Sequence, residues 1–161
     1  MRLRSLSLLE IEALVSGAVA IGGSAILPGA LPPDFILAGA SAALSEGKSQ
    51  LWHSPWLFLA PDPSAAVGTG GFKGAPASGR VEIGFGIAES CRGRGFATQA
   101  VLRLIEIAGS QDHVIEIYAE TATANVASRR VVEKCGFSHV GQQTTEADGV
   151  VDQWLIEVAD A

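Results

Sequence analysis

The fold is decided by Val81-Glu82-Ile83-Gly84-Phe85-Gly86-Ile87, followed closely by Arg92-Gly93-Arg94-Gly95-Phe96-Ala97. Val81, Ile83, Phe85 and Ile87 alternate with other residues, which predicts a strand over Val81–Ile87. Ser90 to Gly95 reads as a turn. From Phe96 to Ala108 the apolar residues Phe96, Ala97, Ala100, Val101, Leu104 and Ile105 recur at three- and four-residue spacings, which predicts a helix that Gly109 can stop. Glycines in such a turn let the backbone approach a ligand closely. The free N–H groups that open a helix carry partial positive charge and suit a phosphate, and Arg92 and Arg94 add to it. Other phosphate motifs fit less well. Gly93 and Gly95 begin a G-x-G-x-x-G pattern but Thr98 holds the third position, and Lys73 is followed by Gly74 rather than by the Ser or Thr of a Walker loop. Alone, the turn also suits a packed helix with no ligand.

Downstream, Val114–Thr121 reads as a strand with Glu116, Tyr118 and Glu120 on one face. Val126–Lys134 reads as a helix with Asn125 near its start and Gly136 past its end. Ser138–Gln143 and Val150–Glu157 form a hairpin turned near Asp148-Gly149. Upstream, Arg2–Leu6 reads as a strand and Leu8–Val15 as a helix capped by Ser7. The stretch from Gly17 to Pro33 resists assignment. A helix over Pro33–Ala43 ends near Gly47, Trp56–Leu59 is a short strand, Pro61–Ser64 a turn, Ala66–Phe72 the next strand and Gly74–Gly79 a loop. No repeat or linker divides the chain, so residues 1–161 read as one domain.

The 161 residues are 48% hydrophobic, enough for a core. A formal charge of −6 argues against a nucleic-acid partner and softly favours a cationic substrate. Cys91 and Cys135 read as reduced thiols without the spacing of a metal site, so no metal is expected. No charge occurs between Glu12 and Asp34, but glycines and Pro28 interrupt that run and Pro32-Pro33 ends it, which speaks against a membrane span. Glu10 and Glu12 fall where a signal peptide needs an apolar core. The cytoplasm is the default location.

Arg92-x-x-Gly95-x-Ala97 resembles the R/Q-x-x-G-x-G/A signature of the GNAT N-acetyltransferases. Val81–Ile87 resembles that family's fourth strand. Asn125-x-x-Ser128 with Glu133-Lys134-Cys135-Gly136-Phe137 resembles its N-x-x-S…E-K-x-G-F segment. The likeness covers Arg80 to Gly141 and is nearest the branch of ribosomal-protein N-terminal acetyltransferases; residues 1–79 carry no comparable signature. The resemblance implies an α+β, three-layer fold: a mixed, mostly antiparallel twisted sheet of about six to seven strands, helices on both faces, and a splay between the fourth and fifth strands. It implies acetyl-CoA as cosubstrate, with residues 80–161 as the coenzyme half and 1–79 as the acceptor half. Gly93, Arg94, Gly95, Phe96 and Ala97 would meet the pyrophosphate, with Arg92. Phe85, Gly86 and Ile87 would hold the pantetheine by backbone groups, helped by Asn125 and Ser128. Gly84 and Gly86 suit a bulge there. Dimers are common in the family, so the resemblance allows a homodimer, which no residue here demands.

Acetyl transfer to an amine needs a proton acceptor, donors for the developing oxyanion, and a proton or stabilising group for the departing thiolate. Glu82 is the first candidate for base, with Glu120 and His53 in reserve. Many family members carry a tyrosine acid four residues before the glycine of Gly-Phe, and here that position is Val132. Ser128 and Tyr118 are the remaining hydroxyl candidates. Trp52 and His53, in Trp52-His53-Ser54-Pro55-Trp56, and Glu120 are candidate acceptor contacts. The expected acceptor is a small-molecule amine or a peptide N-terminus. Competing readings are a non-catalytic acyl-CoA binder on the same fold, a nucleotide-binding protein using the same turn, and a small membrane-attached protein.

Overall fold

The computed structural model describes residues 1–61 and 65–158, so most of the turn expected at Pro61–Ser64 lies outside the described residues. In chain order the elements are β1 (Arg2–Ser5), α1 (Leu8–Val15), β2 (Ala20–Ile21), β3 (Ser24–Ile26), α2 (Asp34–Ser45), the one-turn α3 (Gln50–His53), β4 (Trp56–Leu59), β5 (Ala65–Phe72), β6 (Arg80–Ile87), α4 (Phe96–Gly109), β7 (Glu116–Ala122), α5 (Val126–Lys134), β8 (Ser138–Thr145) and β9 (Gly149–Glu157).

Alternation along the strands creates three layers. Leu57 and Leu59 turn to one side of the sheet, into a core with Ile11 and Leu14 of α1 and Leu37 and Ala40 of α2. Phe58 turns to the other side, into a larger core with Phe96, Ala100 and Leu104 of α4 and Val132 of α5. Leu104 and Val132 are fully buried, and each such aliphatic side chain contributes about 1.5–3 kcal/mol relative to exposure.

Among the described residues nine strands form one sheet, seven of them in the order β1-β4-β5-β6-β7-β9-β8. All neighbours on that path are antiparallel except β6 and β7, which are parallel and joined through α4. The remaining two strands come from the stretch that resisted assignment. β2 and β3 pair across Gly22 and Gly23, whose φ angles are +57° and +80°. Positive φ at both central residues is what a tight hairpin turn demands, and strands of two and three residues are too short to show alternation.

The β6–β7 ladder runs from Arg80↔Glu116 to Ile83↔Ala119 and stops there. Both strands continue, each bonded only to its outer neighbour: β6 to β5 as far as Gly68↔Ile87, and β7 to β9 as far as Ala122↔Val151. The sheet therefore opens past Ile83 and Ala119. In the counting of the resemblance these are the fourth and fifth strands, and the splay is present. The bulge anticipated at Gly84 and Gly86 is not: the β5–β6 register is unbroken from Phe72↔Ile83 to Gly68↔Ile87. The tight approach lies across the ladder instead, where a Cβ on Gly70 would fall 2.5 Å from the Gly84 carbonyl oxygen.

Helix ends follow local chemistry. Ser7 and Glu10 form a reciprocal capping box at α1. At the end of α5 the Phe137 N–H donates to the Val132 carbonyl and the Gly136 N–H to Glu133, both at 3.1 Å, with Gly136 at φ +92°. This left-handed cap explains Lys-Cys-Gly-Phe as a helix stop. Gly109, by contrast, does not stop α4: it is the last helical residue and Ser110 is the cap.

Candidate functional site

Gly93 and Gly95 both adopt left-handed conformations, with φ of +73° and +77°. Gly95 is the N-cap of α4, no side chain bonds the helix start, and no acidic residue lies in its first turn. The leading N–H groups of an α-helix have no partner within it, so here they face outward uncapped. Arg92 to Gly95 are exposed. A Cβ at Gly93 would meet nothing within 4 Å, and one at Gly95 would meet only Gln99 Nε2 at 3.9 Å. The glycines thus serve the backbone conformation, and the ground above them is open. The Arg94 guanidinium lies 4.9 Å from the ring centroid of Phe96, and the Phe96 side chain is core.

The splay opens into a cleft of about 230 Å³. Gly84 and Phe85 of β6 form one wall, Glu120 and Ala122 of β7 the other, and Asn125, the N-cap of α5, and Ser128 within it also line the cleft. A second cavity, of about 320 Å³, lies toward α2. Its floor is glycine backbone at Gly70, Gly71, Gly84 and Gly86, and its lining includes Pro32, Pro33, Ile36, His53 and Lys73. The two cavities share Lys73, Gly84 and Phe85.

The candidate side chains separate accordingly. Ser128 lines the cleft, and its N–H donates to Asn125 Oδ1 at 3.1 Å, so Asn125 caps α5 as well as lining the cleft. Glu120 lines the cleft and accepts from Gln143 Nε2 and, at 2.7 Å, from the Tyr118 hydroxyl. Tyr118 also accepts from Gln153 Nε2 at 2.9 Å and lines neither cavity. Burial, reinforced by Glu120, pushes the Tyr118 phenol up to about 12. Glu82 stands opposite Tyr118 in register, with its Oε1 2.5 Å from Lys73 Nζ. His53 lines the second cavity, and its Nδ1 lies 3.0 Å from the Ser49 carbonyl oxygen. A carbonyl only accepts, so Nδ1 carries the hydrogen of that bond.

Trp52 departs from expectation. It is 6% exposed, packs edge-on against Phe72 with ring centroids 4.8 Å apart, and lines neither cavity. An apolar one-turn helix buries its largest side chain in the core and leaves the neighbouring histidine at the cavity. Trp56 packs against the same core and donates Nε1–H to the Leu51 carbonyl at 3.2 Å. Cys91 is buried beneath the turn, and burial pushes the Cys135 thiol up to about 11. Val132 is fully buried, so the position that often carries a tyrosine belongs to the core, and Ser128 lies one turn before it on α5.

The chain matches the family described as the Acetyltransferase (GNAT) domain over residues 32–138, more than half its length. It belongs to the GNAT acetyltransferase family. It is 36% identical over 83 residues to the uncharacterized N-acetyltransferase YjdG of Bacillus subtilis, covering 51% of this chain and 49% of that one. It is 32% identical over 85 residues to the FsC-acetyl coenzyme A-N(2)-transacetylase of Aspergillus fumigatus, covering 53% and 34%. The matches thus span half or less of these curated relatives. Among solved structures, the ribosomal-protein alpha-N-acetyltransferase RimL in complex with coenzyme A superposes with a TM-score of 0.71 at 16% identity, covering 99% of this chain and 94% of that one. A variant of spermidine N-acetyltransferase SpeG of Vibrio cholerae gives 0.70 at 15% identity, covering 98% and 95%. At such identities the likeness is one of fold.

For a GNAT chain the group to test against this site is coenzyme A. An uncapped helix start, two left-handed glycines with open space above them, exposed Arg92, and a cleft leading between two parted strands fit a diphosphate carrying a slender arm. Sequence reading missed Lys73, which borders both cavities; a lone cation where β5 runs into a glycine-rich loop was the available signal. It also missed the rim at Pro32, Pro33 and Ile36, inside or beside the unassigned stretch. Among the described residues no helix is long and apolar enough to cross a membrane.

Proposed function

We propose that this protein transfers the acetyl group of acetyl-CoA directly to a primary amine, of a small molecule or a peptide N-terminus, within a ternary complex. The observation that carries this reading is the shared wall of the two cavities at Lys73, Gly84 and Phe85. A cleft between the parted strands and a separate cavity toward α2 meet at one short stretch of β6, the strand that leads into the anion-seeking turn, which is where two substrates must meet for direct transfer.

Acetyl-CoA supplies an acetyl group activated as a thioester. The backbone amides of Gly95, Phe96 and Ala97 hold phosphate oxygens, with Arg92 beside them. The parted edge of β6 at Phe85, Gly86 and Ile87 is left unpaired by β7 and offers backbone groups, with Phe85 bordering both cavities and Gly86 the second. The amine nitrogen bonds to the acetyl carbon as the carbon–sulfur bond breaks; the nitrogen loses a proton and the sulfur regains one. Glu82 takes the amine proton, through water because it lines neither cavity, with His53 Nε2 as the alternative acceptor inside the acceptor cavity. Ser128 is placed in the cleft to protonate or steady the sulfur. Residues 1–79 supply most of the acceptor cavity and 80–161 the coenzyme cleft, the two halves acting as one domain.

One observation favours a second reading, a non-catalytic acyl-CoA binder: the buried Val132 leaves the family's frequent acid without a substitute of equal acidity. Free-thiol release from acetyl-CoA with an amine panel separates the two. Thiol release that depends on an amine, together with a melting temperature raised by acetyl-CoA but not by NAD or ATP, is the expected result. Stabilisation without thiol release favours the binder, and no stabilisation overturns both.

A further inference from the structure

The acceptor cavity is chemically one-sided. Its rim is Leu31, Pro32, Pro33 and Ile36, and its floor is glycine backbone. Among the described residues that line it there is no Asp or Glu. Its two hydroxyls are already spent: Ser54 Oγ donates to the Leu6 carbonyl at 2.5 Å, and Thr69 Oγ1 to the Ala30 carbonyl at 3.0 Å. The ionisable groups in the lining are His53 and Lys73, both basic in type. The carboxylates nearby are placed elsewhere: Glu82 is tied to Lys73, and Asp34 begins α2 exposed to solvent, outside the lining.

We infer that the acceptor is a primary amine on an apolar body, with no second cationic group. The inference rests on the acetyltransferase reading and deepens it. A polycation entering this cavity would have to shed water from its extra ammonium groups and find no carboxylate to pair with, facing Lys73 instead. An alkyl or aromatic body loses nothing by the same transfer and covers the apolar rim. Selection here works by rejection as much as attraction, since an unpaired buried charge excludes a ligand more strongly than an extra methylene recruits one. The acidic net charge of −6 does not alter this. It draws cations toward the protein as a whole, but the field at the reacting amine is set by the groups that line the cavity. At about 320 Å³ the cavity lies at the small end of ligand pockets, whose usual range is roughly 300–1,000 Å³. That suits a compact body such as a phenyl ring on a short chain.

The test uses the full chain, with 2-phenylethylamine as the apolar monoamine and 1,4-diaminobutane and spermidine as polycations. Two readouts are taken: amine binding by calorimetry in the presence of coenzyme A, which needs no turnover, and kcat/KM from thiol release with acetyl-CoA. Phenylethylamine should bind more tightly and turn over with a kcat/KM about 100-fold or more above either polyamine. The variant Ile36→Glu, at an exposed rim position, should narrow that ratio by at least about tenfold by offering the missing carboxylate. Polyamines that bind or react as well as phenylethylamine overturn the inference while leaving the acetyltransferase reading intact. Tight phenylethylamine binding with no thiol release from any amine supports the apolar-amine cavity and overturns the acetyltransferase reading instead. Binding of none of the three amines overturns the inference.

Discussion

The Lys73 ammonium nitrogen lies 2.5 Å from Glu82 Oε1, joining the end of β5 to β6 beside the wall that both cavities share. The pair is half-exposed, with side-chain accessibilities of 53% and 31%, so it contributes little to stability. Its consequence is positional: Glu82 is held in one place beside a cation. A proton acceptor in that position should matter to turnover and not to coenzyme binding. We expect Glu82→Gln to lower kcat by about 100-fold with the coenzyme dissociation constant nearly unchanged. Wild-type kcat across pH in that variant removes Glu82 from proton transfer and leaves His53 to be tested by His53→Gln.

Gly95 separates two effects that one substitution would confuse. Its φ of +77° strains any side chain, at about 1–2 kcal/mol for an L residue in the left-handed region. Gly95→Ala carries that strain alone. Gly95→Glu adds a carboxylate at the uncapped start of α4, where the helix field favours anions and a fixed negative charge competes with a phosphate. We expect both variants to melt lower by similar amounts. The Glu variant should lose coenzyme A affinity at least about tenfold beyond the Ala variant. Equal affinities in the two, measured by calorimetry on folded protein, would remove the turn from coenzyme binding.

Individual elements such as α1 with its Ser7 cap and β4 were legible on both sides of residue 80, but the lining of the site was legible mainly beyond it, for physical reasons. The strand–turn–helix from Val81 to Gly109 and the helix that Asn125 begins and Gly136 ends are specified by local signals: period, cap and left-handed glycine. The splay was also foreseen, but only by likeness, because no local signal says that a ladder stops at Ile83. The N-terminal half hides its architecture in long-range pairings. β2 and β3 hold two and three residues, and the cavity rim at Pro32 and Pro33 gains meaning only once β5 and β6 are folded beneath it. Trp52 shows the same limit: an aromatic residue beside a histidine reads alike as pocket or core, and its contact with Phe72 decides the matter.

Tyr118 provides an unusually clean measurement, because it is the one tyrosine in the sequence. Its phenol is pushed up to about 12, by burial first and by the hydrogen bond to Glu120 second. A raised pKa means that the folded state holds the proton more tightly than the unfolded state, whose tyrosine titrates near 10. The associated stability is complete below about pH 10 and is lost as pH rises toward about 12. Ultraviolet titration of tyrosinate should show one transition near the upper value in folded protein and near the lower one in denaturant; a folded transition near 10 contradicts the buried bond. At neutral pH Tyr118 therefore donates and does not act as a base. As it lines neither cavity, Tyr118→Phe should leave kcat close to wild type, whereas Ser128→Ala should lower it about 100-fold. The reverse pattern would transfer the acid role to Tyr118.

Asp152 ties β8, β9 and α5 together. It is 1% exposed, accepts from Gln142 Nε2 at 2.7 Å and from His139 Nε2 at 3.0 Å, and stands 3.3 Å from Arg129 Nε. The Gln142 bond first, and His139 and Arg129 after it, outweigh burial and hold its carboxyl below the ordinary carboxylate value of 3.8. A lowered pKa contributes stability that is present above the unfolded value and disappears as pH falls through the folded one, so the loss begins below about pH 4. Arg129 adjoins Ser128 on α5, so this cluster also fixes the helix that lines the cleft. Asp152→Asn keeps an oxygen for Gln142 but leaves the partly covered guanidinium of Arg129 facing a neutral amide. We expect that variant to melt lower than wild type at neutral pH, to lose less of its remaining stability on acidification, and to bind coenzyme A more weakly as α5 loosens. Melting temperatures of both proteins down the acid range, with coenzyme affinity at neutral pH, check all three outcomes. Parallel acid profiles would mean that Asp152 is not the group whose protonation unlocks this half of the sheet.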